Sequence, residues 1–361
     1  MSRCNGADKS TSEGTLLIRA DANVAIGTGH VMRCLALAQA WEEGGGKAVF
    51  AMAELLPLVR ERLASEGMEI VSVEEYPGSR EDATTVGRMA HRLSADWIVV
   101  DGYHFDAGYQ RELKASALHV LAVDDDGRCE HYWADVVLNQ NIHAGENLYS
   151  SREPYTRLLL GLLYILLRRE FGRWSEWKRQ IPEVGRRVLI TMGGSDPDNV
   201  TSLAIGAFLQ ANIPDKEAIV VLGGSSPQLG SVQALAAQSS GSVRLLEDSS
   251  NMPELMAWAD MALIAGGGTL WELLSMGCPV LSYARNSVQQ QINSKLESEG
   301  LIRGLGDPQH CGREQAAAAL VVLANSQELR ANYSRLGRER VDGRGAGRVC
   351  GVLVSAGVGQ L

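Results

Sequence analysis

LLIRADANVAIGTGHVMRCLALAQAW, from Leu16 to Trp41, is the stretch whose reading decides the fold. Leu16 to Ala20 is a short apolar run broken by one Arg, the length and make-up of a buried strand. From Val31 the period turns helical, with Val31, Leu35, Ala38 and Trp41 on one face and Cys34 and Leu37 beside it. Gly27-Thr28-Gly29-His30 joins the two, where the unpaired N–H groups of a helix start collect. Such an end attracts anions, and its positive partial charge favours a neutral imidazole able to act as a base. Read alone, the same residues are equally a glycine turn followed by a surface His.

Outward from this unit the pattern repeats. KAVFAM, MEIVSV, WIVVDGY, HVLAV and ADVVLN read as strands, and Glu54–Gly67, Arg80–Leu93 and Ala107–Ala115 as helices. Tyr149 to Gly185, with LLLGLLYILLRREF and a Trp/Arg-rich stretch, breaks the rhythm and reads as the crossing between two domains. RRVLITM, EAIVVL, VRLLED, MALIA and PVLSYA then restart it, and Arg313 to Arg340 reads as one long helix folding back across the first domain. Strands alternating with helices imply right-handed crossovers and parallel sheets. The expected fold is therefore α/β, with two Rossmann-type doubly wound sheets (15–175 and 176–312) facing an interdomain cleft. A polar leader, 1–14, is expected to be disordered, and 313–361 to form a C-terminal helix and tail.

The totals narrow the function. A chain of 361 residues, 45% hydrophobic and 21% charged, suits two globular domains. Its net charge of −9 argues against nucleic acid and anionic membrane as partners, though backbone donors can still hold a phosphorylated small molecule. Six scattered cysteines without C-x-x-C suggest neither a zinc knuckle nor a disulfide framework, but reduced thiols in the cytoplasm. No signal peptide is visible and no apolar run approaches the ~20 residues of a membrane helix, so no membrane insertion is expected.

Gly266-Gly267-Gly268-Thr269 is a second glycine turn between a strand and a helix. Its glycines let a ligand approach the backbone, and Thr269 can cap the helix. Glu272 is either the far half of a capping box or a carboxylate for the two hydroxyls of a ribose. Gly193-Gly194-Ser195-Asp196 is another turn of the anion-binding kind. Neither turn is followed by G-K-[ST] nor gives G-x-G-x-x-G, which disfavours a phosphate-cleaving NTPase and an NAD enzyme. Asp124-Asp125-Asp126 contains D-x-D, a pattern able to hold a divalent metal against a diphosphate, but a solvated turn capped by Asp is the favoured reading. The histidines show no metal-ligand spacing, so neither metal nor cofactor is expected. G-x-S-x-G is absent.

In order along the chain, IRADAN…IGTGHVMRCLALA, VVDGY, VDDDG…ADVVLNQN, YILLRREF, MGGSDPDN and ADMALIAGGGTLWELLSMGCPVL resemble the nucleotide-sugar hydrolases of pseudaminic acid biosynthesis and the related spore-coat polysaccharide proteins. The likeness runs from about Leu16 to Gly306, and GTGHVMRC is its most specific part. It implies a GT-B-like fold with the sugar on the first domain and UDP on the second. It also implies water attack at the anomeric carbon of a UDP-2,4-diacetamido-2,4,6-trideoxyhexose, with His30 and Tyr103 catalytic. Arg19, Asp21, Gly27, Thr28, Gly29, Arg33, Asn286 and Gln289 would touch substrate. Gly193, Gly194, Ser195, Asp196, Gly266, Gly267, Gly268 and Thr269 would hold the diphosphate, and Glu272 the ribose. UDP-sugar and water are then the only partners. One departure stands out: aligned on Gln289, Val288 occupies the place of an expected Asn, so sugar contacts from that loop should differ. The alternatives are a GT-B glycosyltransferase and a non-catalytic nucleotide-sugar-binding protein.

Overall fold

The computed structural model describes residues 14–23, 25–193, 196–223, 229–247 and 251–358. The leader expected to be disordered lies outside these except for Gly14. The first lobe runs β1 (Thr15–Ala20), α1 (Gly29–Glu43), β2 (Lys47–Met52), α2 (Pro57–Ser65), β3 (Glu69–Ser72), α3 (Arg80–Leu93), β4 (Ala95–Asp101), α4 (Ala107–Ala115), β5 (His119–Val123), β6 (Val136–Asn139) and β7 (Arg157–Leu160). A short α5 (Arg169–Gly172) leads into the second lobe, which opens with β8 (Arg187–Thr191), α6 (Val200–Gln210), β9 (Glu217–Leu222), α7 (Leu229–Ala237) and β10 (Val243–Glu247). It continues with α8 (Met252–Trp258), β11 (Met261–Ala265), α9 (Gly268–Ser275), β12 (Val280–Tyr283), α10 (Ser287–Ser298) and β13 (Arg303–Gly306). Three helices close the chain: α11 (Arg313–Asn325), α12 (Gln327–Arg340) and α13 (Gly345–Val358).

The strands form two parallel sheets, in the orders β3-β2-β1-β4-β5-β6-β7 and β10-β9-β8-β11-β12-β13. Each is doubly wound: the winding reverses between β1 and β4 in the first and between β8 and β11 in the second. Ligands of open parallel sheets sit at the carboxyl ends of strands beside such a reversal. Each sheet is buried on both faces, which is why its strands read as apolar runs without alternation.

Two boundaries differ from the sequence reading. Arg157–Leu160 is not part of the crossing but the seventh strand of the first sheet, parallel to β6. The crossing follows it, and its side chains alternate between lobes: Ile165 and Leu167 enter a second-lobe core, Leu166 the first-lobe core. Arg313 to Arg340 is not one helix. It breaks at Ser326, whose hydroxyl accepts from Leu329 N and starts α12, and both halves stay on the second lobe against α6 and α9. The return to the first lobe is made by α13, which packs on α1.

Val349, Cys350 and Leu353 of α13 complete the core that holds Val31, Leu35 and Trp97, and Trp97 Nε1 donates to Leu353 O at 3.2 Å. Leu353 is fully buried. Leu353→Ala is expected to cost about 2–5 kcal/mol by opening a cavity under α1. A drop in denaturant midpoint at unchanged slope checks this; an unaltered midpoint would mean the C-terminal helix is not part of the first-lobe core.

Candidate active site

β1 ends at the reversal of the first sheet and releases the chain into the Asn23–Thr28 loop. Asn23 Oδ1 accepts from Ala25 N and Ile26 N, and Gly27 takes a positive φ of 75° before α1 begins. Thr28, the N-cap, makes no side-chain capping bond, and no acidic residue lies in the first turn of α1. A Cβ at Gly27 or Gly29 would meet nothing within 4 Å, so this helix start faces open space.

His30 sits in that first turn. Its Nδ1 lies 2.7 Å from Asp101 Oδ1, at the carboxyl end of the neighbouring β4. A carboxylate only accepts, so in the neutral ring the proton belongs on Nδ1 and the lone pair on Nε2. His30 is 7% exposed, more enclosed than the surface His that the turn alone would suggest. Even so, its Nε2 makes no hydrogen bond to the described residues and is not among the sealed polar atoms. Tyr103 covers the ring, edge-on with centroids 4.9 Å apart, and is itself 53% exposed with Arg128 stacked on it at 4.2 Å. Burial and the nearby Asp125 push the Tyr103 phenol above its ordinary value, so it stays a donor at neutral pH.

One helical turn on, Arg33 binds the same carboxylate through Nε at 2.6 Å and Nη2 at 2.7 Å, and reaches Asp125 through Nη1 at 2.7 Å. Cys34 Sγ also donates to Asp101, at 3.3 Å. Burial alone would push the Asp101 carboxyl up, but Arg33 and His30 hold it well below the usual carboxylate range. Asp101 is therefore a fixed anion that orients the imidazole. These groups line a small cavity of about 30 Å³, room for about one water, together with Tyr103, Arg128 and Tyr132. On the cleft side, the loop after β6 and helix α10 border a groove of about 480 Å³ through His143, Gln290, Gln291 and Ser294, and His143 Nε2 lies 3.0 Å from Asp125 O.

The aspartate triplet divides its work. Asp124 accepts from Asp126 N, Gly127 N, Tyr132 Oη and Tyr149 Oη, so its carboxylate is occupied by structure. Asp126 pairs with Arg128. D-x-D thus does not present two free carboxylates, and among the described residues no group of three metal-ligating side chains is assembled.

Several expected contacts lie elsewhere. Arg19 is fully buried, its guanidinium held by Asp82 at 3.0 and 3.1 Å and by Asp21 at 2.7 Å; it is a core ion pair, not a surface for substrate. Asp21 is buried with it and accepts from Ala53 N and Glu54 N. Asp196 folds its carboxylate onto Val200 N and Thr201 N, taking the amides of α6 that a phosphate would need. Gly193 adopts φ 90° with open space around it, while Gly194 and Ser195 fall outside the described residues.

In the second sheet, Gly266-Gly267-Gly268 follows β11 with positive φ at Gly266 and Gly267, and no side chain caps α9. A Cβ at Gly267 or Gly268 would meet nothing within 4 Å, whereas one at Gly266 would strike the Gln289 side chain at 2.7 Å. Glu272 does not close a capping box with Thr269; it accepts from Arg168 Nη2 of the crossing segment at 2.7 Å. Asn286 caps α10 by accepting from Gln289 N, and Gln289 Oε1 accepts from Arg285 N. The structure adds Asp101, Arg128 and Arg168 to the residues singled out from the sequence. Only Asp101 left a signal, an acid ending the apolar run WIVV.

No protein-family model matches the chain. It is 23% identical over 284 residues to the uncharacterised protein MJ1062 of Methanocaldococcus jannaschii, covering 76% of this chain and 57% of that one, so it spans little more than half of that relative. It is 27% identical over 235 residues to the spore coat polysaccharide biosynthesis protein SpsG of Bacillus subtilis, covering 65% of this chain and 68% of SpsG. It is 26% identical over 277 residues to the UDP-2,4-diacetamido-2,4,6-trideoxy-beta-L-altropyranose hydrolase of Campylobacter jejuni, covering 75% of this chain and 92% of the hydrolase. Among solved structures, Acinetobacter baumannii MurG superposes with a TM-score of 0.65 at 14% identity over 95% of this chain and 99% of that one. Anabaena Alr3699/HepE, in complex with UDP and glucose, gives 0.61 at 14% over 95% and 100%. The fold is GT-B.

Proposed function

We propose that this chain is a nucleotide-sugar hydrolase of surface-polysaccharide or nonulosonic acid biosynthesis, releasing UDP and a free 2,4-diacetamido-2,4,6-trideoxyhexose. The observation that carries the reading is the His30–Asp101 pair at the reversal of the first sheet, with Nε2 making no hydrogen bond to the described residues. The likeness to the Campylobacter hydrolase supports the substrate class. In this reading His30 Nε2 takes a proton from water as the water oxygen bonds to the anomeric carbon. The C1–O bond to the diphosphate breaks, its electron pair leaves with UDP, and the sugar centre inverts. Open amides at Gly267, Gly268 and the start of α9 stabilise the departing charge. Tyr103 borders the sugar and Glu272 takes the ribose once Arg168 yields it.

The test is UDP release from UDP-deoxyamino sugars without any acceptor, read with and without EDTA. A hydrolase gives UDP and free sugar in equal amounts, and the occupied Asp124 leads us to expect undiminished rates in EDTA. A second reading, a glycosyltransferase, draws on the GT-B neighbours. It is favoured if UDP appears only when a hydroxyl acceptor is added. Tight UDP binding with no turnover of any donor would leave a binding protein.

A further inference from the structure

The arginines around the cleft are nearly all neutralised. Arg33 lies between Asp101 and Asp125, Arg128 on Asp126, and Arg168 on Glu272. Among the described residues, Arg285 has no such partner. It follows β12, whose end pairs with the end of β11 just before the glycine turn. The residue is half-buried, and its Nε is sealed from solvent with no hydrogen-bond partner. No ion pair among the described residues includes it. Its backbone is held in place, because Arg285 N donates to Gln289 Oε1 at 2.8 Å and the Gln289 side chain lies against Gly266. Arg285, Gln289 and the glycine turn are thus one mechanical unit. The sealed Nε is a donor without an acceptor among the described residues, a gap that an anion's oxygen would fill.

We propose that Arg285 binds the distal phosphate of a nucleoside diphosphate and so stabilises the leaving group. This rests on the nucleotide reading above and adds a residue to it. The order of groups sets which phosphate it meets. Glu272 lies beyond the helix end of the glycine turn, whereas the Arg285–Gln289 loop lies at its strand end, over Gly266. With ribose at the Glu272 end, the proximal phosphate falls at the turn and the distal one toward Arg285. The turn itself suits phosphate: α9 has no acidic residue in its first turn, and its start is open.

Calorimetry with UDP and UMP on wild type, Arg285→Met and Arg285→Lys tests this, with thermal melts in parallel to show that each variant folds. Wild type should prefer UDP strongly. Arg285→Met should weaken UDP by about 10- to 100-fold, the worth of a charge-assisted bond, while moving UMP less than about threefold. Arg285→Lys should recover much of the UDP affinity. Equal loss of both nucleotides, or no loss of either, overturns the assignment while leaving the nucleotide reading intact. Wild type binding neither nucleotide removes both.

Discussion

Asp101→Asn should lower turnover by about 10²–10⁴-fold, the usual worth of a positioned base, while UDP affinity changes little. The reason is geometric. Asp101 Oδ1, 2.7 Å from His30 Nδ1, is what keeps the proton there. An Asn amide can turn its NH₂ toward Nδ1 instead, which moves the proton to Nε2 and removes the base. His30→Ala should lose as much or more. The two losses should not add, because both substitutions remove one unit. Arg33 keeps Asp125 at 2.7 Å, so the cost in stability should be only about 1–3 kcal/mol, measurable as a shift in Tm. Turnover within threefold of wild type in Asp101→Asn would take the pair out of the mechanism. Loss of UDP affinity equal to the loss of turnover would instead point to a collapsed site.

A large loss of stability should come from a buried ion pair away from the cleft. Arg19→Met leaves Asp21 and Asp82 buried without their cation, and about 3–5 kcal/mol is the expected cost. Acid makes the test sharper. Burial alone would raise the Asp21 carboxyl, but His104 and Arg19 hold it well below its ordinary value. A carboxyl held low in the folded state contributes stability that is present above its unfolded pKa of about 3.9 and is lost as pH falls through the folded value. The wild-type chain should therefore hold its stability into strong acid at this site. Without Arg19, burial prevails over the remaining partner, Asp21 protonates sooner, and the acid transition moves to higher pH. Melts at pH 7, 5 and 4 read this directly; parallel curves for the two proteins would refute the coupling.

These residues mark how far the sequence reaches. The alternation of apolar strands and periodic helices was legible because both sheets are parallel and covered on both faces. Arg157–Leu160 was not, because RLLL and the following LLYILL are equally apolar, and nothing local separates a strand from the crossing after it. The break at Ser326 was available as a capping serine, but the charged and alanine-rich run around it carries a helical signal on both sides. In the site, G-x-G-H gave His30 because a helix start is a local event. Its partner Asp101 is 71 positions away and Arg19's partner Asp82 is 63 away, and pairing across such distances leaves no trace in spacing. Asp196 and Glu272 show the same limit in reverse: each fits a ligand role by position, while Asp196 caps α6 and Glu272 holds Arg168.

The packing of α13 on α1 also bears on the order in which the chain matures during synthesis. The first lobe's strands emerge from the ribosome early, yet the groove over Val31, Leu35 and Trp97 is filled by residues of α13, among them Val349, Cys350 and Leu353, which are made after the second lobe's strands. Until then the nascent lobe carries an open apolar furrow while the whole second lobe is being made. A premature stop shortly after Asp342 would therefore leave the second lobe's own strands complete and injure the lobe translated first.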